Sequence, residues 1–288
     1  MLRDDAKTLS PSHDISRREF VRTSVGSGFA AAVLPVTAQT EIKTDSAGLT
    51  AGEVTIDVGD FKLPAYRAMP TGKARAPLVL VVSEIFGVHQ HIADVVRRLA
   101  REGCLAIAPE LFERQGDAGS YGEVGKLMSE VVNKTHDAQV MADLDACVAW
   151  AKTQGADTTK VGITGFCWGG RIAWMYAAHN PALSAGVAWY GPVARAFAAG
   201  DSTAIEVAAR IKAPMLGLYG GADEGIPGES LQRMRQALRD SGNTHSEIVV
   251  YPDTPHAFHA DYRPSYRQEA AQDGWRRCLA WFKANSVG

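Results

Sequence analysis

Short apolar runs punctuate the chain at regular intervals. Residues 78–82 are five aliphatic residues in succession, and residues 105–108, 161–164, 186–190, 215–219 and 247–251 form further strand-like segments. Unbroken β-branched and aliphatic runs suit strands buried on both faces of a parallel sheet. Between them, apolar residues recur at helical spacing over 92–101, 124–132, 137–152, 168–179, 229–240 and 270–285, with a more polar helix near 205–211. Upstream, residues 54–58 and 61–69 flank Gly59-Asp60, a turn pair between two short strands, which predicts a hairpin. Residues 116–121 are polar and Gly-rich and predict a loop. Strands alternating with helices after an antiparallel start predict an α/β fold, with a mostly parallel central sheet and helices on both faces.

Sheets of this kind hold ligands at the carboxyl ends of their strands. Four reactive positions fall there. Glu84 follows 78–82, Cys167 follows 161–164, Asp223 follows 215–219 and His256 follows 247–251. Cys167 has the strongest local signal. Gly165 and Gly169 flank it at G-x-C-x-G spacing, the pattern of a nucleophile on a sharp strand-to-helix turn. Side chains two places either side of such a turn would clash. The turn also sets the thiol at a helix N-terminus, where the helix dipole favours thiolate. The amide of Trp168 faces the same space as a potential oxyanion donor. A buried structural cysteine beside a Gly-rich turn is the competing reading.

Asp223 and His256 complete the order nucleophile, acid, histidine. His256 would exchange protons and Asp223 would fix its tautomer. Glu224 is a rival acid, and Asp223 could equally be a solvated turn residue. His259 and His245 are rival histidines. His245 falls in a polar turn. His259, three residues from His256, raises a metal pair that no carboxylate pattern supports. His89 and His91 are expected in a loop or helix cap near the pocket. Glu84, directly after a fully apolar strand, must point into the site or be paired.

Composition narrows the rest. The chain has 288 residues, 46% of them apolar, and a formal net charge of −2. That balance gives no electrostatic reason to expect nucleic acid or an anionic membrane as partner. No apolar run reaches the ~18 residues that span a bilayer. Four cysteines, Cys104, Cys147, Cys167 and Cys278, stand far apart without a CxxC pair, so neither zinc nor a redox couple is indicated. Apart from Cys167 they are expected in the core. No glycine-rich nucleotide motif follows a strand, and no cofactor is implied.

The N-terminus stands apart. Arg17-Arg18, with Ser16 before them and Phe20 after, precede a mildly apolar stretch and then Val36-Thr37-Ala38. This resembles the twin-arginine export signal of bacteria, which implies the export machinery as a partner and a periplasmic destination. The expected organisation is a signal over 1–38, cleaved after Ala38, a linker over 39–51 and one domain over 52–288. Replacing Arg17 and Arg18 by Lys is expected to hold the protein in the cytoplasm, as cell fractionation would show; undiminished export would refute the signal.

Taken together, Ser83-Glu84-Ile85-Phe86-Gly87, Gly165-Phe166-Cys167-Trp168-Gly169-Gly170, Gly221-Ala222-Asp223 and Pro255-His256-Ala257-Phe258-His259 resemble the dienelactone hydrolase family, the carboxymethylenebutenolidases. The resemblance implies an α/β-hydrolase fold and hydrolysis of a small lactone or ester. It implies Cys167 as nucleophile, His256 as base and Asp223 as its orienting acid. Glu84 would contact the thiol at rest and help form thiolate when substrate binds. The amides of Ile85 and Trp168 would form the oxyanion hole. Family members that act on dienelactone grip its carboxylate with two arginines, but the matching positions here are Gly125 and Ala260. Arg114, Lys126 and Arg263 are the nearby substitutes. A thioesterase or acyl transferase on the same fold, or a non-catalytic binding module, are the alternatives.

Overall fold

The computed structural model describes residues 41–288. The twin-arginine segment and the proposed cleavage point lie outside the described residues. Eight strands form one sheet: β1 (Leu49–Val58), β2 (Phe61–Pro70), β3 (Pro77–Val82), β4 (Leu105–Pro109), β5 (Asp157–Phe166), β6 (Ala185–Trp189), β7 (Met215–Gly220) and β8 (Glu247–Tyr251). Their spatial order is β1-β2-β4-β3-β5-β6-β7-β8. The β1–β2 and β2–β4 pairs are antiparallel and the other five are parallel, so the mostly parallel sheet expected from the apolar runs is present.

The helices are α1 (Gln90–Arg101), α2 (Val124–Glu130), α3 (Asp137–Thr153), α4 (Trp168–His179), α5 (Ala204–Val207), α6 (Gly228–Asp240) and α7 (Gln268–Ala284). Leu78 to Val82 on β3 are fully buried, as are Leu105 to Ala108 on β4, because helices cover both faces there. Removing each Leu, Ile or Val side chain among them from water contributes ~1.5–3 kcal/mol. Cys104, Cys147 and Cys278 lie in this core as free thiols.

Several boundaries differ from the pattern-based expectation. The opening hairpin has a first strand of ten residues rather than the five expected, while its second runs one residue past the expected 61–69. Its outer strand alternates weakly because it is an edge strand with much of its surface in solvent, and backbone pairing continues through the polar positions. Strand β1 therefore starts inside the stretch expected to be linker. Strand β5 starts at Asp157, because its polar first residues still find a partner beside Pro77, where the register shifts. The helix expected near 205–211 is α5 plus a 3-10 turn over Ala208–Arg210, and α2 likewise ends in a 3-10 turn over Val132–Lys134. The 116–121 loop holds a short 3-10 turn in which the Asp117 side chain accepts the Gly119 amide. Strand β6 ends at Trp189, leaving Tyr190 outside it with φ of 39°.

The sheet positions the site through one feature. From β3 the chain runs to β4 on one side, then crosses to β5 on the other. This reversal opens a crevice at the carboxyl ends of β3 and β5. In register, Val82 pairs with Gly165 and Phe166 with Trp189. Two further residues along β3 and β5 bring Glu84 and Cys167 out side by side. One further residue along β5 and β6 sets Tyr190 on the opposite flank of Cys167.

Before β1, residues 41–45 run along α1 as a strap. The amide of Ile42 donates to Asp261 at 3.2 Å and that of Thr44 to Asp94 at 2.5 Å, while Arg97 Nε donates to the Thr44 carbonyl at 2.6 Å. Among the described residues no helix is long and apolar enough to cross a membrane.

Candidate active site

Cys167 sits between β5 and α4 with φ 54° and ψ −116°. A non-glycine residue holds that conformation only when its surroundings enforce it. Here the backbone is fixed by the Cys167 amide donating to the Trp189 carbonyl at 3.0 Å, and by its own carbonyl accepting from Arg171 at the start of α4. The flanking glycines are sterically required. A Cβ at Gly165 would collide with the backbone of Gly169, and one at Gly169 with the carbonyls of Val82 and Ser83. The spacing thus reflects the close approach of α4 to β3, which brings Cys167 to the edge of the crevice. Cys167 is 8% exposed. Trp168 opens α4, so its amide is one of those with no carbonyl partner within the helix. Ile85 follows Glu84 on the opposite wall.

His256 and Asp223 arrive from the other half of the sheet. Asp223 Oδ2 lies 2.6 Å from His256 Nδ1, and Asp223 Oδ1 accepts the Gly225 amide at 2.9 Å. Asp223 is buried and its rival Glu224 is exposed, so the packed carboxylate is the one that meets the imidazole. Burial works against a charge on His256. The neighbouring Cys167 charge and the Asp223 hydrogen bond outweigh it, and the His256 pKa is raised to about 10.

His245 is exposed. His259 is buried against Trp189 (ring centroids 4.5 Å apart), Phe166, His91 and Trp275, and burial holds its pKa well down. Packing among rings accounts for it, and no metal-binding cluster occurs among the described residues. His89 is the N-cap residue of α1 and His91 lies in its first turn, both buried beside the site.

Glu84 departs from expectation in its partners. Arg263 Nη2 donates to Glu84 Oε2 at 2.6 Å, and the Tyr262 hydroxyl donates to the same oxygen at 3.2 Å. Arg263 Nε in turn donates to that hydroxyl at 2.9 Å, and His89 Nε2 lies 3.3 Å from it. Glu84 is 2% exposed, and its Oε1 is buried without a hydrogen-bond partner among the described residues. Burial opposes its charge, but the buried Arg263 guanidinium prevails and holds the carboxyl below its usual range. His89, by contrast, is pushed down to about 3 mainly by burial and stays neutral.

Arg263 is therefore spoken for by Glu84 and cannot act as a free surface cation. Arg114 is likewise committed to buried Asp143 at 2.6 Å, and Lys126 lies 3.8 Å from Glu123 on the surface. Neither arginine is free to replace those absent at Gly125 and Ala260, and Lys126 is an exposed residue held only by a surface ion pair. The sequence reading also passed over Tyr262 and Tyr190. The first had a signal, since it adjoins Arg263 in a segment dense with titratable residues. The second had none, because a left-handed conformation at a tyrosine leaves no compositional mark.

A parallel sheet with this strand order, a cysteine on a strained strand-to-helix turn and an Asp–His pair from the last two strands define an α/β-hydrolase fold. The chain belongs to the dienelactone hydrolase family, whose model matches residues 63–286. It is similar, at 57% identity over 98% of both chains, to a Methylorubrum extorquens protein named "Putative carboxymethylenebutenolidase". An Escherichia coli K12 protein of the same name is 50% identical over 91% of this chain and 96% of its own. The solved structure of a "Putative Dienelactone Hydrolase" from Klebsiella pneumoniae matches with a TM-score of 0.79 and 52% identity, covering 82% of this chain and 98% of that one. The protein is a hydrolase of this family.

Proposed function

We infer that the chain opens a small lactone or ester in the manner of a carboxymethylenebutenolidase, through Cys167 as nucleophile. The reading is carried by His256, which meets Asp223 at 2.6 Å and lies near enough to Cys167 for the two to interact electrostatically. The thiolate attacks the carbonyl carbon, and the oxyanion is held by the Ile85 and Trp168 amides. Collapse breaks the carbon–oxygen bond, and His256 gives its proton to the departing oxygen. Water, deprotonated by His256, then cleaves the thioester and the thiol is restored.

Glu84 is assigned the gate. Turned toward the thiol it accepts a hydrogen bond from Cys167 at rest; turned toward Arg263 and Tyr262 it leaves the thiol to give its proton to His256, which passes it to the departing oxygen. Its second oxygen, unbonded while the first holds Arg263, supports that alternation. Dienelactone itself would need a cation for its carboxylate beyond those the site has committed, so the bond broken is assigned more narrowly than the molecule.

Iodoacetamide labelling tests both assignments. Cys167 should be the residue alkylated in the folded protein, and a hydrolysable lactone should protect it; an inert Cys167 would refute the reading. In Glu84→Gln, hydrolysis per folded molecule should fall about 100-fold. Stability should fall too, since Arg263 is left buried without its ion-pair partner. A normal rate in the surviving folded fraction would make Glu84 purely structural.

A further inference from the structure

Tyr190 is the most unusual residue of the site that the mechanism above does not use. It is fully buried, and its φ of 39° is a conformation that a bulky side chain rarely adopts. The strain is held by backbone bonds on both sides. Its amide donates to the Leu218 carbonyl at 2.8 Å, and the preceding carbonyl of Trp189 accepts from Cys167. Its ring stands edge-on to His256 with centroids 5.0 Å apart, and is boxed by Phe258 at 5.4 Å and Phe166 at 6.2 Å. The hydroxyl is buried with no hydrogen-bond partner among the described residues. A native protein tolerates a strained backbone and an unsatisfied buried hydroxyl at one residue only rarely, and such outliers concentrate where reacting groups are handled.

Direction follows from the sheet. Glu84 and Ile85 leave β3 on one flank of Cys167, and Tyr190 leaves β6 on the other. The Tyr190 ring stands beside His256, the group that supplies the proton to the departing oxygen. Burial, and then the Glu84 carboxylate, keep the phenol protonated far above neutral pH. It is thus a hydrogen-bond donor that does not itself lose a proton.

The geometry points to Tyr190 as a catalytic residue that donates a hydrogen bond to the leaving-group oxygen while Cys167 is acylated. This rests on the Cys167 reading above. As the sulfur–carbon bond forms and the carbon–oxygen bond breaks, negative charge grows on the departing oxygen. The Tyr190 hydroxyl shares that charge, His256 supplies the proton, and Tyr190 ends the step as it began. The assignment favours leaving groups that are poor, such as alkoxides or weakly acidic enols, over activated ones. Tyr190 has no part in the second step, where the leaving group is gone.

The test compares wild type and Tyr190→Phe with a series of para-substituted phenyl acetates, separating acylation from hydrolysis of acetyl-Cys167 by rapid quench and mass spectrometry. Acylation should fall about 10–100-fold with the least acidic phenols and little with 4-nitrophenol, so the dependence on leaving-group pKa steepens. Hydrolysis of acetyl-Cys167, common to all the esters, should be unchanged. Tm should hold or rise, because the substitution removes an unsatisfied buried hydroxyl. An equal loss across the series, a loss in the second step, or a lower Tm with normal acylation would overturn the assignment. If wild type forms no acetyl-Cys167 from any of these esters, it is the cysteine-nucleophile reading that fails, and Tyr190 falls with it.

Discussion

Cys167→Ala should lower hydrolysis of any lactone or ester the protein accepts by about 10⁴–10⁶-fold, the loss seen when a nucleophile is removed from an otherwise intact site. The fold should survive, because alanine enters the same strained turn at no greater steric cost and the residue contributes little buried volume. The other thiols cannot take over. Cys104, Cys147 and Cys278 are structural core residues, and burial pushes Cys104 up to about 11 and the other two higher still. Their sulfurs stay protonated in the range where Cys167 faces a cationic imidazole. Steady-state rates with matched circular dichroism spectra are the check. Activity within tenfold of wild type would mean that the bond is broken without a covalent intermediate on this residue.

Much of this arrangement was legible because it follows from short-range rules. The short, β-branched apolar runs of β3 and β4 suit buried strands, and the glycines at 165 and 169 announced a close helix approach, realised against Val82 and Ser83. Residues placed just after β3, β5, β7 and β8 had to converge, since parallel strands share one carboxyl edge. What stayed hidden depends on pairing across the chain. Arg263 and Glu84 lie 179 residues apart, and no local pattern ties them together. Tyr190 read as the last residue of a strand, because it closes the apolar run over 186–190. Its backbone turns only because the Leu218 carbonyl and the Cys167 turn bind it from both sides. The edge hairpin was underestimated for the opposite reason: backbone pairing extended it through residues whose side chains carry no periodic signal.

Asp261→Asn should cost about 3 kcal/mol of stability, the lower end for breaking a buried charge network. The carboxylate is almost wholly buried and serves three donors at once: His91 Nδ1 at 3.1 Å, Arg98 Nη2 at 2.8 Å and the strap amide of Ile42. Arg98 keeps Asp94 at 2.5 Å, which moderates the loss. For a chain of this size Tm should drop by about 6–12 °C. The pH dependence has a definite sign. Burial opposes the charge on Asp261, but His91 and Arg98 outweigh it and hold the carboxyl below its usual range. A depressed folded-state pKa contributes stability above the unfolded value of about 3.9 and loses it as pH falls below that. The gap between wild type and variant should therefore be widest above pH ~5 and close as pH falls toward 2. Activity should fall with it, because Asp261 anchors the segment that runs from His256 to Arg263, and Tyr262 and Arg263 follow it directly into their contacts with Glu84. Urea titrations at several pH values measure the first effect, and rates per folded molecule the second. A stability gap that did not narrow in acid would show that the three donors bind Asp261 without favouring its charged form.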